Sequence, residues 1–299
     1  MATFNGSVLE RSTKDGGETA SRTLEEFLRV LSERPSATNS VHQPESSSTS
    51  RAPDSDADDM LLLETQWALQ PVFLSAQKVV DSSVRERNVH WLIGTRNVLQ
   101  FSPVTLFLAV SLADRYLEAC VVDKRQMELL WAAALCVAVK HKEPEYHVFY
   151  RSYLASTKGI GESMKTELCD MEEVVSRAVD WSLGLPSPLD FLRRNCRAAK
   201  ASRQERLTAM YILEVCLVDY TMAWIKPSKK AASALYCAMH YQGRQNPCWG
   251  HKMQLCSGHD IGSLMPIVAR MQEFLIAACQ SDMWAPYESY EKMWSGTLG

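Results

Sequence analysis

The chain has 299 residues, of which 46% are apolar and 22% are charged, and its formal net charge is -3 with an isoelectric point near 6.2. This length holds one large domain or two of ordinary size, and the mild acidity argues against a dedicated nucleic-acid-binding protein, which needs a basic surface. The longest apolar run, Leu129–Val139, is shorter than the roughly 18 to 20 residues that cross a bilayer, and the N-terminal segment lacks a signal peptide's apolar core. We therefore expect an intracellular protein that binds neither nucleic acid nor membrane.

Residues 1–58 differ in composition from the rest of the chain. The stretch 35–59 is rich in Ser, Thr, Pro and Asp and has few side chains that could build a core, so residues 1–58 are predicted to form a disordered tail. Within this tail, the segment SRTLEEFLRVLSERP at 21–35 has apolar residues at helical spacing, namely Leu24, Phe27, Leu28 and Leu31. That segment is either a transient helix or a short binding motif.

From Met60 onward the periodicity is helical, and strand patterns are nearly absent. An N-terminal helical segment at 59–80 precedes a first domain at 81–185. We predict five helices in this domain, with the second to the fifth at about 102–119, 123–141, 146–155 and 161–184. Serine and aspartate suit helix N-caps and proline suits the first turn, which favours helix starts at Ser102-Pro103 and Asp123.

The third of these helices is apolar on every side through Leu129–Val139, which is typical of a helix that other helices surround. The same design recurs in a second domain at 186–285, before a C-terminal tail at 286–299. Its helices are predicted at about 188–200, 203–222, 226–242, 251–258 and 260–280, with the alanine-rich third one again central. The predicted fold class is all-α: two tandem five-helix domains with an N-terminal helix and a disordered N-terminal tail.

Four stretches carry a family resemblance in the right order and spacing. WLIGTRNVLQFSPVTLFLAVSLADRYLE contains L-x-D-R-x-L at Leu112, Asp114, Arg115 and Leu117, and AAALCVAVKHKEP is an apolar helix that ends in lysine. The other two are MEEVVSRAVDWSLGLPSPLDFLRR and LEVCLVDYTMAWIKPSKKAASALYCA. Together they resemble the cyclins, most closely the mitotic A/B group with two cyclin boxes, over roughly two-thirds of the chain.

The resemblance implies a regulatory subunit without catalysis or cofactor, which binds and activates a cyclin-dependent serine/threonine kinase. It further implies control of cell-cycle progression at the G2/M or S phase, a location in the nucleus and cytoplasm, and kinase substrates or inhibitors as further partners. Lys140 and Glu172 match the family's lysine and glutamate that hold the kinase's mobile regulatory helix in its active position. The family's K-x-E-E is Lys140-His141-Lys142-Glu143 here, so the implied kinase-binding set also includes His141, Lys142 and Glu143. One acid is replaced by a base, and we expect that change to affect which kinase is chosen.

Two further sets of residues take their roles from the resemblance. Arg85 and Asp114 match a buried structural ion pair, and removal of one partner would cost about 3 to 5 kcal/mol. Val84, Asn88 and Trp91 match an exposed apolar patch that docks substrates carrying R-x-L. Because a leucine of that patch is Asn88 here, the patch loses hydrophobic driving force, and we expect weak or absent docking.

The segment before Val84 supplies further apolar candidates for kinase contact: Leu61, Leu62, Trp67, Val72 and Phe73. A separate pattern, C-x2-H-x4-C-x2-H at Cys248, His251, Cys256 and His259, has zinc-like spacing. The resembled family has a short helix and loop there, so we expect no metal. The nine cysteines are scattered, several within apolar helical patterns, as expected for free thiols in a reducing compartment.

Two alternative functions remain from the sequence. One is an adaptor like the cyclin-like repeats of general transcription factor IIB. That function needs basic faces and usually a zinc ribbon ahead of the repeats, and the sequence shows neither feature. The other is a divergent cyclin-fold protein that binds a kinase without activating it, or that serves a transcription-type kinase.

Overall fold

The computed structural model describes residues 55–143, 164–244 and 249–279, together with Leu154, Lys158 and Ile160. Within these ranges it contains ten α-helices and no β-strand, which confirms the all-α fold class. The first five helices are α1 Ser55–Gln66, α2 Ser82–Leu99, α3 Pro103–Ala119, α4 Lys124–Lys142 and α5 Lys165–Ala178. The second five are α6 Pro188–Ala199, α7 Arg203–Val215, α8 Pro227–Tyr241, α9 His251–Ser257 and α10 Ile261–Cys279.

Side-chain caps fix several helix starts. The first amides of a helix have no partner within it, and a Ser or Asp oxygen supplies one. Asp81 accepts a hydrogen bond from the Val84 amide at 2.8 Å at the start of α2, and Ser102 caps α3. Asp123 forms a reciprocal capping box with Gln126 at the start of α4. The start signals read from Ser102 and Asp123 are therefore confirmed.

The first domain is built around α4. Every residue from Leu129 to Val139 is buried, including Trp131 at 0% exposure. Helices α2, α3 and α5 pack against it, so the prediction of a central third helix is confirmed. The predicted fourth helix at 146–155 lies, except for Leu154, outside the described residues.

The second domain repeats this design around α8. Helices α6, α7, α9 and α10 contact α8, and its Ala231, Ala232, Ala234 and Ala238 are fully buried. Small side chains let the neighbouring backbones approach closely. Helix α10 is long and apolar enough to cross a membrane by length and composition alone, with a mean hydropathy of 1.3. A core helix meets the same criterion, and α10 buries Leu264, Met271 and Leu275 in this domain.

Two helices end earlier than the sequence pattern indicated. The helix predicted over 161–184 ends at Ala178, where the Asp180 amide bonds to the Arg177 carbonyl and the Trp181 amide to the Ser176 carbonyl. This pair of bonds is a Schellman turn, which stops a helix by satisfying its last carbonyls. The helix predicted over 203–222 ends at Val215 and is followed by a separate 3-10 turn at Tyr220–Met222.

The two domains meet through buried polar contacts that link distant parts of the chain. Arg96 of α2 pairs with Glu214 of α7 at 3.1 Å, and the Leu74 amide donates to the Tyr220 hydroxyl at 3.1 Å. Helix α1 crosses to the second domain, where both Glu64 carboxylate oxygens accept hydrogen bonds from Ser228, at 2.6 and 2.8 Å. These contacts fix the position of the N-terminal helix on the second domain.

Candidate partner-binding site

Lys140 and Glu172 are brought together by the packing of α4 on α5. Lys140 is the first residue past the buried run of α4, where the helix emerges from the domain. Glu172 lies on the inner side of α5, and its side chain is 11% exposed against 38% for Lys140. The Lys140 ammonium and the Glu172 carboxylate form an ion pair and a hydrogen bond. The pair therefore lies at the rim of the domain, half covered by protein and half open.

A pocket of about 530 Å³ surrounds this pair. Its lining residues come from the end of α4, from α5 and from the turn after α5: Val137, Lys140, His141, Cys169, Glu172, Glu173, Ser176, Trp181 and Leu183. The charged groups Lys140, Glu172 and Glu173 therefore lie beside an apolar edge formed by Val137, Trp181 and Leu183.

Trp181 is the functional candidate that sequence reasoning missed. Its side chain is 61% exposed, although tryptophan is usually well buried. Its backbone and that of Asp180 are left-handed, with φ of 58° and 48°, a conformation that costs roughly 1 to 2 kcal/mol for a residue with a side chain. The Schellman turn holds both residues there and directs the indole to the edge of the pocket. A tryptophan three residues before the Gly184-Leu185-Pro186 sequence that ends the domain was the available signal.

The three residues after Lys140 lie in three different surroundings. His141 is exposed and lines the same pocket, and burial together with the neighbouring Lys142 lowers its pKa. Lys142 lines a different cavity, between the two domains. Glu143 points inward, and its Oε1 accepts hydrogen bonds from the Ser102 amide at 2.8 Å and the Thr105 hydroxyl at 2.7 Å.

The pKa of Glu143 follows from that placement. Burial raises its pKa, but the hydrogen bonds from Ser102 and Thr105 outweigh burial, so the pKa is lowered overall. Glu143 is therefore a charged cap on the N-terminus of α3. Of the five residues in the implied kinase-binding set, the structure gathers Lys140, His141 and Glu172 at one pocket, whereas Lys142 and Glu143 lie elsewhere.

Arg85 and Asp114 form a bidentate pair, with both N–O distances at 2.8 Å and side chains only 1% and 3% exposed. The second terminal nitrogen of Arg85 also donates to the carbonyls of Leu217 and Val218, at 3.0 and 3.2 Å. Those carbonyls belong to the second domain. The pair thus joins the two domains, a role that the sequence did not indicate.

The patch of Val84, Asn88 and Trp91 contains a buried amide and a cation. Asn88 is 7% exposed, and its Nδ2 donates to the Val84 carbonyl at 2.9 Å. The Lys158 ammonium donates to Asn88 Oδ1 at 2.8 Å and lies 4.5 Å from the centre of the Trp91 ring. Burial lowers the pKa of Lys158, while Glu128 opposes that effect. A basic side chain of a ligand bound at this patch would lie next to the Lys158 ammonium, which carries the same charge.

The apolar candidates of the N-terminal segment separate into two groups. Leu62 and Val72 are exposed, at 59% and 58%. Phe73 is 6% exposed and packs against the Tyr220 ring at a centroid distance of 5.4 Å, while Leu61 and Trp67 are partly buried against the two cores. The expectation that Phe73 is available to a partner is wrong, because the domain interface covers it.

Among the described residues, the side chains of the zinc-like pattern do not come together as a metal site. No group of three or more His, Cys, Asp or Glu side chains in this part of the chain could hold a metal. Cys248 lies outside the described residues. His259 Nε2 is 2.9 Å from the Ser228 hydroxyl, so this ring takes part in the contact that anchors α1.

Comparison with known proteins gives concordant matches. Residues 57–184 match the cyclin N-terminal domain and residues 186–293 the cyclin C-terminal domain. The chain is 32% identical over 217 residues to the G2/mitotic-specific cyclin-B2 of Oryzias javanicus, covering 72% of this chain and 54% of that protein. It is 30% identical over 221 residues to the G2/mitotic-specific cyclin CLB2 of Candida albicans, covering 74% and 44%.

The chain spans about half the length of these curated relatives. Among solved structures, a viral cyclin from herpesvirus saimiri superposes with a TM-score of 0.63 at 18% identity, covering 77% of this chain and 99% of the viral one. That likeness concerns the fold. With both halves of the two-domain architecture matched in order, the chain belongs to the cyclin family.

Proposed function

We propose that this protein binds and activates a cyclin-dependent serine/threonine kinase and thereby controls progression through the cell cycle, at the G2/M or S phase. The observation that carries the proposal is the Lys140–Glu172 pair at the rim of the first domain, with exposed Trp181 beside it. The matched relatives named G2/mitotic-specific cyclins support the choice of phase. In this role the protein would act in the nucleus and cytoplasm.

The Lys140–Glu172 pair suits the recognition of partner backbone. An ammonium has three donors and a carboxylate four lone-pair sites, so each group can bind a partner's carbonyl or amide while keeping its ion pair. An ion pair at this degree of exposure adds only about 0 to 1 kcal/mol to stability. Its contribution to binding is geometric: it fixes the register of the partner helix.

Trp181 supplies the apolar contact that such a polar centre lacks. It is 61% exposed and borders the pocket around the ion pair. Exposed tryptophans beside a desolvated centre are frequent hot spots of protein interfaces. A kinase whose mobile helix is bound here would shift its equilibrium toward the active arrangement, because the ligand binds one arrangement better than the other.

A second candidate function is a kinase partner that binds without activating, or that serves a transcription-type kinase. Two observations favour it: Lys142 replaces an acid of the family motif, and the Glu143 carboxylate points inward to the start of α3. Among the described residues, the carboxylates that line the pocket are therefore those of Glu172 and Glu173. The kinase selected would differ accordingly.

The test is recovery of a kinase from cell extract, followed by a kinase assay. The wild type is compared with a Lys140→Ala/Glu172→Ala variant. The matched control is Arg125→Ala/Glu167→Ala, an exposed ion pair that joins the same two helices near the N-terminus of each.

We expect the control to recover active kinase like the wild type, and the Lys140/Glu172 variant to lose at least tenfold. Kinase recovered at the wild-type level without activity would support the second candidate function. Equal recovery and equal activity in all three proteins would show that the interface lies elsewhere.

A further inference from the structure

A cavity of about 1010 Å³ lies between the two domains, on walls contributed by α1, α3, α6, α9 and the segment 182–188 that connects the domains. Its residues come from stretches that are far apart in sequence. It shares Leu183 with the pocket around Lys140, but neither Lys140 nor Glu172 lines it. The cavity is therefore distinct from the ion pair on which the proposed kinase role rests.

The walls of this cavity are strongly basic, although the whole chain has a formal charge of -3. Both carboxylates on them are already engaged: Asp114 with Arg85, and Asp190 with the amide and hydroxyl of Ser187. Five of the lining cations have no ion-pair or side-chain hydrogen-bond partner among the described residues: Lys142, Arg194, Arg197, Lys230 and Lys252.

Lys230 is the most constrained of these cations. It projects from α8 between the domains and is partly buried. The charged and titratable groups around it are Asp114, Arg85, Cys216 and Arg115, and Asp114 is already neutralised by Arg85. Burial lowers the pKa of Lys230 to about 8. A partly desolvated ammonium without an acceptor is unfavourable, and an anion placed beside it would remove that penalty.

The cavity also has an apolar wall, to which Leu63, Phe107 and Trp224 contribute. Trp67 lies on the same wall with the Arg115 guanidinium 5.5 Å from its ring centre. A simple inorganic anion would leave this wall in contact with water. A ligand that uses both walls must carry negative charge and an apolar side chain.

We propose that the cavity between the domains binds an acidic peptide segment of a partner protein, with Lys230 as a carboxylate ligand deep in the cavity and Trp67 on the wall that receives an apolar side chain. Charge complementarity identifies the occupant, because the free cations exceed the free carboxylates on these walls. Arg194 and Arg197 of α6 bind further carboxylates of the same segment. The volume is at the upper end of the range for sites that enclose a ligand of a few residues.

Fluorescence anisotropy on the full chain tests this site. The probe is a labelled hexapeptide of alternating glutamate and phenylalanine, and its glutamine counterpart removes the charge while keeping the shape. The variants are Lys230→Met and a matched control, Lys229→Met, which removes the neighbouring lysine of α8 that does not line the cavity. Circular dichroism verifies that each variant is folded, and Arg197→Gln provides a second variant near the surface.

We expect the glutamate peptide to bind the wild type and the Lys229→Met control within twofold of each other. Binding should weaken at least tenfold in Lys230→Met, several-fold in Arg197→Gln and at least tenfold for the glutamine peptide. Equal binding by wild type and Lys230→Met, or equal losses in both lysine variants, would overturn the proposal. So would a single-stranded oligonucleotide that displaces the peptide at equal charge, because the cavity would then be a nonspecific cationic surface.

Discussion

The buried pair of Arg85 and Asp114 gives the sharpest stability prediction. Arg85→Leu leaves the Asp114 carboxylate buried at 3% exposure without its bidentate donor, and a broken buried pair costs about 3 to 5 kcal/mol. The same change removes the charged donor from the Leu217 and Val218 carbonyls of the second domain. We expect the unfolding free energy to fall by about 3 to 5 kcal/mol. The melting temperature should fall by about 6 to 20 °C, at roughly 2 to 4 °C per kcal/mol for a protein of this size.

Urea denaturation followed by circular dichroism measures this change against two controls. Arg87→Ala removes an exposed arginine two positions further along α2, whose contact is with Ser83 at 3.3 Å, and should change stability by less than about 0.5 kcal/mol. Arg85→Leu/Asp114→Leu removes both charges, so its loss should be smaller than that of Arg85→Leu alone. A loss in Arg85→Leu as small as that of the Arg87 control would contradict a buried structural pair. So would a double variant that loses the sum of the two single losses.

Three further predictions concern the other sites. Trp181→Gly should leave the unfolding free energy unchanged or raise it by up to about 1 kcal/mol, since glycine relieves the left-handed backbone. The same change should lower kinase recovery at least tenfold, whereas the control Asp180→Gly should keep recovery at the wild-type level. Loss of recovery in both variants would contradict the role of the indole. The folded-state pKa of Lys230, about 8, lies below its ordinary 10.5. The protonated Lys230 ammonium therefore lowers the unfolding free energy by its full amount below pH 8, and this loss fades as the pH rises toward 10.5. In urea titrations, the unfolding free energy of the wild type should therefore rise relative to that of Lys230→Met over that range, by no more than about 3.4 kcal/mol. Parallel pH curves for the two proteins would disprove this. In fluorescence anisotropy, a labelled R-x-L peptide should show no measurable binding to the wild type. The Asn88→Leu/Lys158→Met variant should bind the same peptide at least tenfold more tightly. Tight binding by the wild type would show that the polar patch does not block docking.

The sequence by itself determined the elements that depend on short-range signals. The eleven apolar residues from Leu129 to Val139 predict a surrounded helix, because a helix without a polar side has no surface to give to water. Ser102 and Asp123 predict helix starts, because their side chains cap the free amides a few residues ahead. Lys140 could be singled out because it interrupts the apolar run, and Glu172 because it lies in the matching family motif.

Helix ends were less predictable, since they depend on contacts beyond the local pattern. The apolar spacing continues past Ala178, yet the chain turns there into two left-handed residues. No glycine marks this Schellman turn, because Asp180 occupies the position that glycine usually takes. The exposure of Trp181 follows from that turn and could not be read from the residue's own apolar character.

Only the tertiary structure decided which side chains meet across long separations. Glu143 looks like a surface acid in sequence, but the end of α4 lies against the start of α3, and its carboxylate caps that helix. Arg85 reaches carbonyls more than a hundred positions away, at Leu217 and Val218. The basic cavity arises in the same way, because the packing of two domains gathers cations that lie in separate stretches of a weakly acidic chain. Periodicity and capping act within a few residues, whereas charge and burial depend on everything that surrounds a group in space.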